Sequence, residues 1–369
     1  MSQVAAHARE YGVGEEASQM IVECTGNLLR DDAEALVNTV NTVGVMGKGL
    51  ALQFKRAFPA NFRAYVQACA DHRVRPGKIF ATSMDGDRWI LNFPTKRHWR
   101  QPSNLEDVRA GLDDLVRVLV ELKVRTVAIP PLGCGNGGLD WSVVRPLIIE
   151  KLGGLGLEVR LYSPGTPSPE DMPVSPERPR LTTSRIRLLA GLRRYAETAY
   201  AAGVAVDSHT SLLETQKVVY LLQSAGLDLG YRFKRGHYGP FSSGLNRDIA
   251  ALEGHYLIGY GDGTGGARAD LRLLPAADAA EPPIADDPMF RRSWRKVSNA
   301  VLGYEYPDGM ELLSTVHYLA DHRTGRFDDE DIAGEVAQWS SRKRRLFSSD
   351  DVQCALERLR EARLLDPAR

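Results

Sequence analysis

The stretch Asn38-Thr39-Val40-Asn41-Thr42-Val43-Gly44-Val45-Met46-Gly47-Lys48-Gly49-Leu50-Ala51 decides how the first half of this chain is read. It follows the apolar run Ala35-Leu36-Val37 and leads into Leu52–Phe58, whose apolar residues recur at helical spacing. The order is strand, glycine-rich loop, helix. Glycine permits close backbone approach and φ > 0, and a helix N-terminus offers unpaired N–H groups to an anion. The asparagines at the strand end add amide donors and acceptors that read hydroxyls. This set suits a ribose phosphate, and it equally suits a helix-opening loop with no ligand. The rest of the chain separates the two.

Outward from this loop, strands and helices alternate. Ile21–Thr25 reads as a strand turned by Gly26-Asn27, and Gly49–Phe58 and Pro59–His72 as helices, with Pro59 in a first turn. Gly77–Ser83 and Arg88–Phe93 are strands joined by the hairpin turn Asp85-Gly86-Asp87. A helix capped by Ser103 or Asn104 repeats Leu112, Leu115, Val116, Leu119 and Leu122. The buried-type strand Thr126–Pro130 then opens into a second glycine-rich run, Gly133-Cys134-Gly135-Asn136-Gly137-Gly138. A helix from Trp141 and a strand at Leu157–Tyr162 follow. Such alternation predicts an α/β/α sandwich on a mixed sheet, in which ligands bind at the carboxyl ends of the strands. Both glycine runs fall there. Two such loops at one edge select the phosphate reading.

The 369 residues suit two domains. Lys+Arg and Asp+Glu are 47 each, so overall charge gives no reason for non-specific DNA affinity, although patches can hide in a zero sum. Cys24, Cys69, Cys134 and Cys354 lie far apart, with no CxxC and no histidine cluster. That argues against disulfides and zinc, for a reducing cytoplasm, and for no metal or cofactor. No apolar run approaches the roughly 20 residues of a membrane span, and Met1–Ser18 lacks the apolar core of a signal peptide. Residues 1–19 read as a disordered tail, with Met20 an alternative start, and residues 20–165 as the first domain. Residues 166–181, rich in proline, read as a linker, and 182–369 as a mainly helical second domain. Its helices start at Ile186–Ala202 and Leu213–Ser224, followed by the turn-rich basic and aromatic segment Phe233–Ser242. Tyr256–Tyr260 and Arg268–Leu274 read as a hairpin of the kind that forms the wing of a winged helix. Ala276–Asp287 reads as a polar gap, and Ser348–Ala362 as the last helix.

At Asn38–Ala51, Asn92-Phe93-Pro94-Thr95-Lys96 and Gly133–Trp141 the chain resembles a macrodomain. Within that family it is most similar to the lysine-dependent, TARG-like class of DarG-type antitoxins, partners of the DNA ADP-ribosylating toxin DarT. The resemblance covers Ile21–Ser163. It implies binding of ADP-ribose and, with ADP-ribosylated DNA as substrate, hydrolysis of the N-glycosidic bond to a nucleobase. Gly133, Cys134, Gly135, Asn136, Gly137 and Gly138 would cradle the diphosphate in the manner of a nest. Asn41 would bond the distal ribose and is counted with Lys96 as catalytic. Gly44, Gly47 and Gly49 would wrap the same sugar, and Asn38 and Lys48 are counted with the ADP-ribose-binding residues, Lys48 either a phosphate anchor or a surface lysine. Asn27, Leu28, Tyr162 and Ser163 would border the adenine, although Asn27 stands where many macrodomains carry an acid.

Lys96 occupies the position of the class's catalytic lysine, where it would attack the anomeric carbon. An amine must be neutral to do so, and burial or a nearby cation lowers its pKa. Hydrolases of this class that act on protein carboxylates carry an aspartate where this chain has Gly137. The nearest acid, Asp140, reads as a helix cap, so no acid–base partner is assigned to Lys96. Arg97, His98, Trp99 and Arg100 suit contact with the DNA strand by charge and stacking; for Trp99 a packed loop anchor is the alternative. Leu213–Leu222 followed by Tyr238–Ser242 resembles SocA-like antitoxin domains, which implies direct blocking of a DarT-like toxin. Asp328–Asp331 and Ser348–Asp351 are candidates for that face, while Lys234, Arg235 and His237 support the competing winged-helix, DNA-binding role. Other functions on the same pocket are an ADP-ribose 1″-phosphatase, a protein de-ADP-ribosylase, or a non-catalytic ADP-ribose reader joined to a DNA-binding regulator.

Overall fold

Strand β2 (Ala35–Asn41) lies inside a six-stranded sheet, and its side chains explain why. Ala35 and Val37 face one helical layer and Leu36 and Val40 the other, all of them buried. The structure, a computed structural model, describes residues 21–84, 86–204, 209–323 and 328–365. The expected tail and Asp85 of the hairpin turn lie outside the described residues. The described chain falls into two compact units, one ending at Pro176 and the other beginning at Glu177.

In the first unit the other strands are β1 (Ile21–Cys24), β3 (Phe80–Ser83), β4 (Trp89–Lys96), β5 (Thr126–Ile129) and β6 (Glu158–Tyr162). Their order is β1-β6-β5-β2-β4-β3. Every pair is parallel except β3 with β4, the hairpin expected from the sequence. Helices α1 (Gly49–Ala57) and α2 (Pro59–Ala70) cover one face, burying Phe54, Tyr65 and Ala68. Helices α3 (Leu105–Glu121) and α4 (Trp141–Leu152) cover the other. Asn104 caps α3 by accepting from Glu106 N, and Asp140 caps α4 by accepting from Ser142 N. This is the α/β/α sandwich on a mixed sheet that the sequence predicts. The proline-rich stretch after β6 forms a 3-10 turn at Pro169–Asp171 and buries Met172 within this unit.

The second unit packs helices α5 (Thr183–Ala201), α6 (Leu212–Ser224), α7 (Ser243–Leu252), α8 (Glu281–Ala285), α9 (Pro288–Val301), α10 (Pro307–Asp321), α11 (Asp329–Trp339), α12 (Ser341–Leu346) and α13 (Ser349–Glu361). Helix α6 is its axis, with every residue from Leu212 to Leu222 buried. Its polar side chains are matched: Glu214 accepts from Tyr195 Oη at 2.9 Å, and Gln216 Oε1 accepts from Ser242 N at 2.9 Å. Strand β7 (His209–Ser211), invisible as a three-residue element in the sequence, adds to the expected hairpin β10 (Leu257–Ile258) and β11 (Asp270–Leu273). The turn-rich segment becomes a hairpin of β8 (Lys234–Gly236) and β9 (Gly239–Phe241).

One expectation fails outright. Residues 276–287, read as a polar gap, form a 3-10 helix (Pro275–Ala280) and α8, burying Ala277, Ala280 and Ile284. Their charges pair with helix α5, Asp278 and Glu281 with Arg193 and Arg194, so a polar surface conceals a packed underside. Among the described residues no helix is long and apolar enough to cross a membrane, and no cluster of three or more His, Cys, Asp or Glu can hold a metal ion.

Candidate active site

Because β1, β6, β5, β2 and β4 run parallel, their carboxyl ends share one edge, and both glycine-rich loops leave from it. Asn41 and Lys96 are register partners there, at a bulge where β2 and β4 end. From β4, Lys96 Nζ reaches across the end of β2 and donates to the carbonyl of Asn136 in the loop that follows β5. Burial lowers its pKa from the ordinary lysine value, and burial is the sole cause. Arg97 contributes nothing to that shift, because its guanidinium turns aside to grip Asp107 at 2.5 and 3.0 Å. Among the described residues no acid pairs with Lys96. Asp140, the nearest in sequence, is spent on its cap.

Asn41 organises the loop after β2. Its Nδ2 donates to Val45 O at 2.5 Å, and its Oδ1 accepts from Val43 N and Val45 N at 3.0 and 3.3 Å. Tyr65 Oη donates to its backbone carbonyl at 2.7 Å, and Thr42 Oγ1 ties the same loop to Arg97 O at 2.7 Å. Gly44 and exposed Gly47 carry the loop to α1, which begins at Gly49. Exposed Lys48 is the N-cap residue, but its side chain makes no capping bond, which leaves first-turn N–H groups of α1 open. Asn38, three residues before Asn41, is fully buried, its Nδ2 donating to Asn92 Oδ1 at 3.0 Å. Asn92 in turn donates to Asn61 at 2.7 Å, and Thr82 to Asn61 at 2.7 Å. That amide ladder braces β2, β4, β3 and α2 beneath the edge.

The second loop closes on itself. Gly133 O accepts from Leu139 N at 3.1 Å, Gly135 O from Gly138 N at 3.2 Å, and Gly137 O from Ser103 N at 2.9 Å. A Cβ at Gly137 would lie 2.0 Å from Gly133 O and 2.3 Å from Ser103 Oγ, so no other residue fits without moving the loop. Gly135, in contrast, faces open space. Among the described residues the N–H groups of Gly135, Asn136 and Gly137 have no hydrogen-bond acceptor, which leaves them open to a ligand. Beside them, burial and then Asp140 push the Cys134 thiol up to about 11, which favours the protonated form.

At the other end of the edge the expected residues are already engaged. Asn27 accepts from Leu29 N at 3.0 Å and donates to Asp171 O at 2.5 Å, while Arg30 pairs with Asp171 at 2.6 Å. Leu28 and Tyr162 are buried together, Tyr162 Oη donating to Asp31 at 2.8 Å, and Ser163 N bonds Cys24 O at 3.1 Å. Reasoning from sequence missed residues 169–172, which return to cover Asn27; Met172 among prolines was the signal. Trp99 is 47% exposed, stacked with His98 and covered by Arg100 at 4.5 Å, so it is no packed anchor.

A model of the Macro domain family matches residues 37–148, which span both loops and Lys96. The chain is 44% identical over 349 residues, 93% of either protein, to a Thermus aquaticus protein named DNA ADP-ribosyl glycohydrolase. It is 34% identical over 170 residues to a Thermosipho africanus DNA ADP-ribosyl transferase-DNA ADP-ribosyl glycohydrolase fusion protein, covering 41% of this chain and 44% of that one. Among solved structures, the macrodomain of Thermus aquaticus DarG shares 56% identity, with 39% of this chain and 99% of that one covered and a TM-score of 0.38.

Proposed function

The chain belongs to the family of DNA ADP-ribosyl glycohydrolases, and on that premise we propose that it removes ADP-ribose from a DNA nucleobase, using Lys96 as the reacting amine. The observation that carries this reading is the position of Lys96: half-buried, lowered in pKa, and held between the two glycine-rich loops. The open N–H groups of residues 135–137 take the diphosphate, and the loop shaped by Asn41 takes the distal ribose. In the neutral form Lys96 Nζ bonds to the anomeric carbon, the bond from that carbon to the base nitrogen breaks, and the base leaves with a proton. Water then cleaves the lysyl adduct, which frees ADP-ribose and restores the amine. With no carboxylate paired to Lys96, water or the substrate's own hydroxyls carry the protons. Asn41 acts here by positioning, since its amide is committed to the loop. Single-stranded DNA bearing ADP-ribose, incubated with wild type and with Lys96→Ala, tests the reading. Wild type should yield unmarked DNA and free ADP-ribose, and equal release by Lys96→Ala overturns it.

The second unit, in this reading, binds and blocks a DarT-like toxin. Support comes from the relative that joins a DNA ADP-ribosyl transferase to the glycohydrolase in one chain. Within the acid runs expected for that face, Asp328 with Asp331 and Ser348 with Asp351 form capping boxes. Toxin capture by the full chain and by Lys96→Ala should be equal, and absence of capture by either ends this part of the reading.

A further inference from the structure

Several arginines of the second unit are matched to an acid. Arg185 pairs with Asp248, Arg187 with Asp287 and Arg360 with Asp329, each within 2.8 Å. Others are not, and one region gathers four such cations on two adjoining elements. Lys234 and Arg235 of strand β8 and Arg344 and Arg345 of helix α12 are exposed, and among the described residues none has an acidic partner. The two elements adjoin. Trp339 Nε1 donates to Gly236 O at 2.9 Å, the Arg235 guanidinium lies 4.3 Å over the Trp339 ring, and that of Arg342 lies 5.3 Å over Tyr238. Arg345 is one helical turn beyond Arg342 and shares its side. Among these cations Tyr238 and Phe241 are 36% and 41% exposed. The hairpin that presents them is anchored from beneath, where buried Lys217 Nζ donates to Pro240 O at 2.8 Å.

From this juxtaposition of unmatched cations and open aromatic rings on a braced hairpin, we infer that the β8–β9 and α12 face holds single-stranded nucleic acid. Proteins that grip single strands pair a cationic track for phosphates with rings on which bases stack, at about 1–3 kcal/mol per base. A purely acidic protein surface needs the cations but gives the exposed rings nothing to do. The inference deepens the proposed function, resting on its reading of marked DNA as substrate, by giving the chain a hold on the polymer separate from its hold on ADP-ribose.

The probe is an unmarked oligothymidylate of about twenty nucleotides, longer than one roughly 4–16-nucleotide site, titrated with the full chain by fluorescence anisotropy at several salt concentrations. Wild type should bind it with affinity that falls as salt rises. Lys234→Glu with Arg235→Glu, and separately Arg344→Glu with Arg345→Glu, should each weaken binding at least about tenfold. Each pair should also flatten the salt slope by about 1.4, two phosphates at roughly 0.7 each. Tyr238→Ala with Phe241→Ala should weaken binding by about tenfold or more with the slope unchanged. All are surface changes, and circular dichroism checks that the fold survives. If wild type ignores the oligonucleotide, or the charge reversals leave its affinity unchanged while abolishing toxin capture, the nucleic-acid assignment is wrong. A wild type that binds the strand but releases no ADP-ribose from marked DNA sinks the glycohydrolase reading and leaves this face standing.

Discussion

Gly137→Ala and Gly135→Ala, two positions apart in one loop, should fail in different ways. A Cβ at position 137 would sit 2.0 Å from Gly133 O and 2.3 Å from Ser103 Oγ, against an ordinary contact of 3.4 Å, so the loop must open by the difference, 1.4 Å. The Ser103 hydroxyl can turn away, but the backbone around it cannot yield freely. Gly133 O is held by Leu139 N at 3.1 Å, and Ser103 is pinned through its own N–H to Gly137 O at 2.9 Å. Overpacking of this kind costs about 1–3 kcal/mol of stability. It also displaces the N–H groups of residues 135–137. Losing two charge-assisted hydrogen bonds at roughly 1.5 kcal/mol each weakens ADP-ribose binding by about 3 kcal/mol, on the order of a hundredfold.

At position 135 a Cβ meets nothing within 4 Å. Gly135→Ala should therefore melt like wild type and lose affinity only because its methyl group stands where the diphosphate approaches. Calorimetric titration with ADP-ribose and thermal melting by circular dichroism separate the two outcomes. Wild-type melting and affinity in Gly137→Ala would refute the packing argument. Unchanged affinity in Gly135→Ala would place the diphosphate on another loop.

Lys96→Ala should abolish turnover while leaving ADP-ribose affinity within about tenfold, or 1.4 kcal/mol; retained turnover removes Lys96 from the chemistry. Because burial lowers its pKa below 10.5, the neutral amine gains population as pH rises, so wild-type kcat should climb with pH and reach half its plateau below pH 10.5. A flat profile across that climb counts against an amine nucleophile. Truncation after residue 165 should cost the first unit about 2–3 kcal/mol relative to truncation after 176, through loss of Met172 burial and the Asn27–Asp171 hydrogen bond; equal urea midpoints would mean the segment does not pack. Burial first, then Lys343, brings Lys217 from 10.5 down to about 7, so between those values the unfolded chain holds a proton that the folded chain lacks, and stability rises with pH. Urea unfolding should show wild type gaining roughly 3 kcal/mol on Lys217→Met between about pH 7 and 9.5; the opposite slope would contradict the sign.

Much of the first unit was legible because its signals are local. Alternating strands and helices, the Asn104 and Asp140 caps and the β3–β4 hairpin each depend on residues a few positions apart. The second unit gave less away. A run such as residues 276–287 looks polar when its charges answer arginines far away in sequence, and alanines bury without announcing a period. Strand β7 is three residues long and gains its meaning from β11, some 60 positions on, at Asp270–Leu273. Sequence patterns report what a residue does to its neighbours in the chain.

Lys96 shows where that limit bears on function. The motif positions it at the end of a strand, and both glycine runs at strand ends, but which ends adjoin depends on strand order. Strands β4, β2 and β5 are neighbours although β3 and β4 lie between β2 and β5 in sequence. Only that crossover lets Lys96 meet Asn136, 40 residues away. The same contact sets a condition on the chemistry. A neutral amine that donates one N–H to a carbonyl keeps its lone pair on another lobe, so the Asn136 carbonyl fixes the directions from which an anomeric carbon can be attacked. Asn136 O shares its peptide plane with the open N–H of Gly137, and in a trans peptide the two point in opposite directions. A diphosphate held by that N–H therefore approaches from the side away from Lys96. On the proposed placement the ribose bridges the loop to reach the amine, so diphosphate binding and the orientation of Lys96 act on one peptide unit.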